Sequence, residues 1–345
     1  MKQSKRFLEI AMISFCGLIL SSCQKENPLS ENEMIFSTDA ETGINSLQIN
    51  SSSVSGYLLN MVGIIETMAG EGLLNEGNAT SLRVKIENAI KSIDKGNTDA
   101  FKGQLNAFIN EIWAFINKDS STIVGPGITL IKKAKNAIIL ADGSFVDSRD
   151  GYEYPVVLIG DQLWMAENLR ATKYIDGTEI QLVENPTEWR NLTTGGYCWF
   201  GNNYDIFGTK YGALYNWYAV NTENLCPEGW HVPFLFEWMT LTETLGDEGV
   251  AGGKLKATGT IEGGDGLWRS PNTGATNESG FTALPGGSRT PSGVYYSVGV
   301  YTNWWSSNPM NDLASYTLFV GFNTSRAMRG AYANNHGLSV RCVRE

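Results

Sequence analysis

The sequence predicts an α+β protein, a small all-α helical bundle followed by a domain of short strands and long loops. Between residues 53 and 141, apolar residues recur at helical spacing. From Asp142 onward, short apolar runs alternate with Gly-rich turns. The composition breaks at the same point, since nine of the ten tryptophans and both histidines follow Asp142.

The first element is an N-terminal leader. Lys2, Lys5 and Arg6 precede an apolar run from Ile10 to Leu20, too short to span a bilayer but suited to a signal peptide over residues 1–22. Leu20-Ser21-Ser22-Cys23 resembles a bacterial lipoprotein lipobox. The resemblance implies cleavage before Cys23, acylation of that residue, and attachment to the membrane through the lipid anchor. Lys25-Glu26 just after it resembles the export signal of Bacteroidota-type lipoproteins. That implies an outer-membrane, surface-exposed location. Residues 23–52 are polar and poor in aromatics, the composition of a flexible tether.

Residues 53–141 form the predicted bundle. Val54, Leu58, Met61, Ile65 and Met68 mark its first helix, closed at Gly70 and Gly72. Asn78 to Ser81 offer N-caps for a second helix, with Leu82, Ile86, Ala89 and Ile93 on its apolar stripe. Lys95-Gly96-Asn97 is a stop and restart before a third stripe from Phe101 to Ile116. After Pro126 and Gly127, the run Ile128, Ile131, Ala134 and Ile138 completes a fourth. The run from Leu82 to Ile116 resembles the FIMAH-type helical domain of secreted bacterial proteins, an accessory module that implies no catalytic residues.

In residues 142–345, Tyr154 to Met165 reads as a hairpin turned at Gly160-Asp161, and Tyr211 to Ala219 as a weak helix. Phe234 to Leu245 reads as an amphipathic helix stopped by Gly246, and Leu338 to Arg344 as a closing strand. Cys226-Pro-Glu-Gly-Trp-His-Val-Pro233, Asp147 to Tyr152, Ile159 to Leu169, Tyr211 to Ala219, Gly274 to Phe281, Trp304-Trp305-Ser306-Ser307 and Leu338 to Cys342 together resemble the Fibrobacter succinogenes major paralogous domain. More remotely, the Gly-Trp step, the Glu-Trp helix, the Trp-Trp-Ser run and the terminal Val-Arg-Cys are similar in order to the C-type lectin fold. That likeness makes the C-terminal domain C-type-lectin-like and speaks weakly to function.

The chemistry is mostly exclusions. The net charge is −10, and about −12 without residues 1–22, so nucleic acid is not an expected partner. Two histidines in no ligand spacing exclude a zinc hydrolase, and no Gly-x-Ser-x-Gly or phosphate-binding loop is present. Cys16 falls in the leader and Cys23 in the lipobox, which leaves Cys198, Cys226 and Cys342. A Cys226–Cys342 disulfide is favoured in an extracytoplasmic setting, with Cys198–Cys342 and no bridge as the alternatives. Those three lie too far apart in sequence for the copper-binding pair of a sulfatase-modifying oxidase. His231 reads as a buried, hydrogen-bonded structural residue.

What remains is binding. Trp268, Tyr295, Tyr296, Tyr301, Trp304, Trp305 and Asn308 fall in or beside Gly- and Ser-rich segments between Ala257 and Met310 and are the ligand-binding candidates. The same aromatics, Trp304 and Trp305 above all, also fit a core in a domain short of regular structure. Asn202, Asn203 and Asp205 form an oxygen-rich turn that suits either calcium or an ordinary loop. No other cofactor is implied. The expectation is a non-catalytic surface protein engaging a glycan or a protein. A structural, fimbria-associated protein and an unrecognised glycan-active hydrolase are the alternatives.

Overall fold

The structure is a computed structural model that describes residues 51–118 and 123–344. The expected leader, the lipobox-like stretch at Cys23 and nearly all of the expected tether lie outside the described residues. Four helices open the fold: α1 (Ser51–Gly70), α2 (Glu76–Asp94), α3 (Thr98–Lys118) and α4 (Val124–Asp142). The predicted apolar stripes face inward, with Leu58, Met61, Leu82, Ile86, Phe101 and Leu105 fully buried. The cap of α2 is Asn75, whose side chain accepts from Asn78 N at 2.9 Å, so the helix starts one turn before the predicted caps. Pro126 and Gly127 lie in the first turn of α4, where a missing N–H leaves no bond unmade. No helix among the described residues is long and apolar enough to cross a membrane.

Gly143, left-handed at φ 74°, ends α4 and turns the chain into the second region. There follow β1 (Ser144–Val146), β2 (Glu153–Ile159), β3 (Gln162–Met165), β4 (Gln181–Leu182), α5 (Pro186–Asn191) and β5 (Gly196–Cys198). Next come α6 (Thr209–Tyr211), β6 (Leu214–Tyr215), α7 (Trp217–Val220), α8 (Leu235–Thr244) and α9 (Ala251–Leu255). The chain closes with β7 (Gly286–Arg289), β8 (Tyr295–Val298), β9 (Tyr301–Asn311), β10 (Ala314–Gly321), β11 (Ala327–Ala333) and β12 (Val343–Arg344). Among the described residues three sheets result, in the orders β1-β2-β3-β12, β11-β10-β9-β7-β8 and β4-β5-β6. The class is α+β, as predicted. The β2–β3 hairpin turns at Gly160-Asp161, with Ile159 opposite Gln162.

Two local expectations change. The run from Tyr211 to Ala219 is not one helix, because Gly212 sits at φ 77° with Leu169 O 2.8 Å from where a Cβ would be. The chain breaks there into α6, the β6 bridge and α7. The closing strand is reduced to Val343–Arg344 paired with β3. Leu338 and Ser339 make single bridges to Tyr215 and Trp304.

One apolar cluster runs from Val54 in α1 through the bundle to Cys342. Polar contacts fasten the same boundary. Asp161 in the hairpin turn accepts from Lys133 at 3.1 Å and Asn60 at 3.4 Å, and Arg344 Nε reaches Asn136 at 2.9 Å. The bundle and the second region therefore share a core rather than hanging from a linker.

The second region closes on Arg341, which is 1% exposed. Its Nε and Nη2 donate to Asn168 Oδ1 at 3.1 and 2.8 Å, and its Nη1 donates to Phe281 O at 2.6 Å and Met165 O at 3.2 Å. Burial pulls its pKa down to about 9. Asn168 Oδ1 also accepts from Trp304 Nε1, while its Nδ2 donates to Tyr211 O and Ser339 Oγ. Cys226 and Cys342 form a disulfide across 116 residues of sequence, and Cys198 is free and buried. Lys256 is a second interior cation, with Nζ 2.9 Å from the carbonyls of Thr273, Gly321 and Thr324.

Two outcomes follow for denaturant unfolding. Asn168→Ala orphans the Trp304 N–H and two guanidinium N–H donors, and lowers stability by about 3 kcal/mol or more. Reduction of Cys226–Cys342 lowers it by roughly 4–5 kcal/mol on the chain-entropy scale. Differences below 1 kcal/mol in either case would contradict these assignments.

Candidate functional site

A cleft of about 550 Å³ is lined by Asp150, Gly151, Tyr152, Arg170, Thr172, Trp199 and Tyr204. Three segments distant in sequence build it. The first is the turn after β1. Asp147 N donates to Tyr152 O, and Tyr152 N donates to Asp150 Oδ1 at 2.9 Å, with Gly151 at φ 76° closing the loop. Buried Asp147 holds Arg149 in a fork, and Arg149 Nη1 donates onward to Lys173 O and Leu225 O. This fixes the turn against the second segment, the chain leaving β3.

That segment supplies Arg170. Its guanidinium lies 4.0 Å above the Tyr152 ring, and Nη2 reaches Glu167 Oε2 at 3.2 Å. The same Glu167 oxygen accepts from Tyr152 Oη at 2.7 Å. The Arg170 Nε is buried with no acceptor.

The third segment carries Trp199 and Tyr204, ring centroids 4.8 Å apart and edge to face at 64°. Tyr204 opens a single π turn (Tyr204–Gly208) that Asn203 caps by accepting from Ile206 N. Isolated π turns recur at functional sites. Gly208 allows the pair to close, because a Cβ there would stand 2.6 Å from Tyr204 Cδ2 and 2.8 Å from Trp199 Cε3. Tyr204 is 45% exposed, so part of its ring stays open to solvent beside Trp199.

A second groove of about 490 Å³ lies along β10 and β11, beside Tyr316, Phe319 and Met328. Its Arg329 is already paired with Glu248.

The sequence-predicted candidates do not line the first cleft. Trp268, Trp304 and Trp305 are fully buried, and their indole N–H groups donate to Ala283 O, Asn168 Oδ1 and Tyr215 O. A ligand cannot reach them in the folded chain, so they are corrected to core residues. Asn308 accepts from Leu235 N at 2.6 Å and holds the start of α8. Tyr295 is half-buried between the Phe200 ring and the Arg289 guanidinium, its hydroxyl on Asn202 Oδ1. Tyr296 and Tyr301 are half-buried on β8 and β9. In the oxygen-rich turn, Asn202 bonds Tyr295 and Asn203 caps the π turn, so both amide oxygens serve the protein's own donors. Asp205 is exposed. No group of three His, Cys, Asp or Glu residues suited to a metal occurs among the described residues. His231 is half-buried, with Nε2 at 2.9 Å from both Glu237 oxygens. Glu237 Oε2 also accepts from Phe234 N at the start of α8.

Residues 157–344 match the family profile of the Fibrobacter succinogenes major domain. The chain belongs to this family. No curated protein and no solved structure matches it. The matched segment of this Fibrobacter succinogenes major domain protein begins inside β2 and ends at β12. It contains Arg170, Trp199 and Tyr204, while Asp150 and Tyr152 lie just before it.

Burial raises the pKa of Tyr152, with the Glu167 hydrogen bond adding to it, and burial likewise raises those of Tyr154, Tyr211 and Tyr215. The unfolded chain loses these protons near pH 10, while the folded chain keeps them to higher pH. The folded state then binds more protons, and stability falls as pH rises above about 10. An alkaline absorbance titration should show a late phenolate step that coincides with loss of the folded signal. Ionisation of all tyrosines near pH 10 in the folded protein would refute this.

Proposed function

We propose that this is a non-catalytic, lipid-anchored cell-surface protein that binds a glycan in the Tyr152–Arg170–Trp199–Tyr204 cleft. The observation that carries the proposal is the exposed Tyr204 ring, lining the same cleft as a guanidinium with hydrogen-bonding capacity left over. Sugars are held by stacking on such rings combined with a few fixed polar groups. The lipobox at Cys23 and the acidic charge fit a soluble domain displayed at a surface. The motif order similar to the C-type lectin fold points the same way. Glu167 Oε2 accepts from both Tyr152 and Arg170, so it fixes the two side chains that wall the cleft. The groups around it are held in place.

The test is a glycan array probed with residues 23–345, the bundle being kept because it shares the core. The expected result is a glycan hit whose affinity falls about tenfold in Tyr204→Ala, with circular dichroism and a melting curve confirming that the variant still folds. A blank array, or a hit unaffected by Tyr204→Ala, would overturn the proposal.

A further inference from the structure

Arg170 has donors that the protein does not consume. Its side chain is 9% exposed, so water meets little of it. A guanidinium offers five N–H groups. Here Nη2 donates to Glu167 Oε2, and the Nε is buried without an acceptor. The buried Nε is out of a ligand's reach, whereas Nη1 has no acceptor among the described residues and is the donor that the cleft presents to an oxygen.

Charge decides which kind of oxygen fits. Asp150 and Glu167 bring two negative charges to the site against one positive charge on Arg170, and the whole chain is acidic. A ligand carboxylate or sulfate would add a third negative charge beside those two. A neutral carbonyl accepts the same N–H without that repulsion. The apolar side of the cleft adds a second requirement. Arg170 covers one face of Tyr152, so the aromatic surface left for a ligand is the Trp199–Tyr204 corner. Its geometry suits a small alkyl group as well as the flat face of a sugar ring. Asp150 adds an acceptor, because only its Oδ1 is used by the turn.

Donor at Arg170, acceptor at Asp150 and an apolar corner at Trp199 and Tyr204 are the complement of one substituent. An acetamido group carries a neutral carbonyl, an N–H and a methyl within a few ångströms. We propose that the cleft recognises a neutral N-acetylated sugar. The acetamido oxygen meets Arg170, its N–H meets Asp150, and the methyl or the ring face lies on the Trp199–Tyr204 pair. This rests on the glycan-binding reading and narrows it to one ligand class.

Calorimetric titration of residues 23–345 tests it with five probes: the methyl glycosides of N-acetylglucosamine, N-acetylgalactosamine, glucose, galactose and glucuronic acid. At least one N-acetylated probe should bind ten or more times tighter than its hydroxyl parent and than the glucuronide. Arg170→Gln should bring the N-acetylated sugar and its parent to within about threefold of each other. Should that variant fail to fold, Asp150→Asn, at an exposed position, should reduce the preference by several-fold. Equal binding of parent and N-acetylated sugar, or tighter binding of the glucuronide, overturns the proposal while leaving glycan binding in place. If no probe binds but the array registers a glycan without an acetamido group, the narrower claim falls alone. If the array is blank as well, both fall.

Discussion

The second region depends on one interior constraint, the guanidinium of Arg341 held without a carboxylate partner. A charge at 1% exposure is tolerable only when its donors are met. The chain meets them with Asn168, Met165 and Phe281, from segments that β3–β12 pairing and ring packing also draw together. Asn168 then passes the order on to Trp304 in β9, to Tyr211 and to Ser339. Two residues after Asn168 the chain reaches Arg170. The cleft is thus positioned by the same segment that satisfies the buried charge, and its wall inherits the rigidity of the interior.

The bundle was legible because a helix writes its period into a single stretch of chain. Leu82, Ile86, Ala89 and Ile93 announce a buried stripe regardless of what they meet. The hairpin at Gly160-Asp161 and the α8 helix were legible for the same local reason. Where tertiary contact overrides local pattern, the sequence misleads. Tyr211 to Ala219 has helical composition, yet the carbonyl of Leu169 stands where any Cβ at Gly212 would be. No property of the segment itself records that neighbour.

The site was less legible than the fold. Trp268, Trp304 and Trp305 sit among glycines and serines and look like loop aromatics. In a domain with two- to four-residue strands such as β4 and β6, large rings have to supply the core. Polarity around an aromatic is then a poor guide to its exposure, and the more useful signal is whether its N–H has a carbonyl to reach. Asp150, Tyr152 and Tyr204 fall within stretches that the sequence singles out for other reasons, while Arg170 and Trp199 do not. The cleft residues come from three separate segments, so nothing in any one segment marked Tyr152, Arg170 and Tyr204 as neighbours. The clue closest to hand was Tyr204 itself, an aromatic placed in a turn whose asparagines turned out to bond the protein's own donors.

The Cys226–Cys342 bridge has a consequence for how the chain comes into being. Synthesis runs from the N-terminus, and Cys342 lies three residues before the end of the sequence. Cys226 therefore waits through 116 residues of elongation before its partner exists. During that interval the other thiol of this region is Cys198, already made and not yet shielded by the strands that will bury it. An oxidant acting early would join the wrong two sulfurs. Delay thus favours the correct bridge, because Arg289 in β7 and Tyr295 in β8, which stand beside Cys198, are made before Cys342 is.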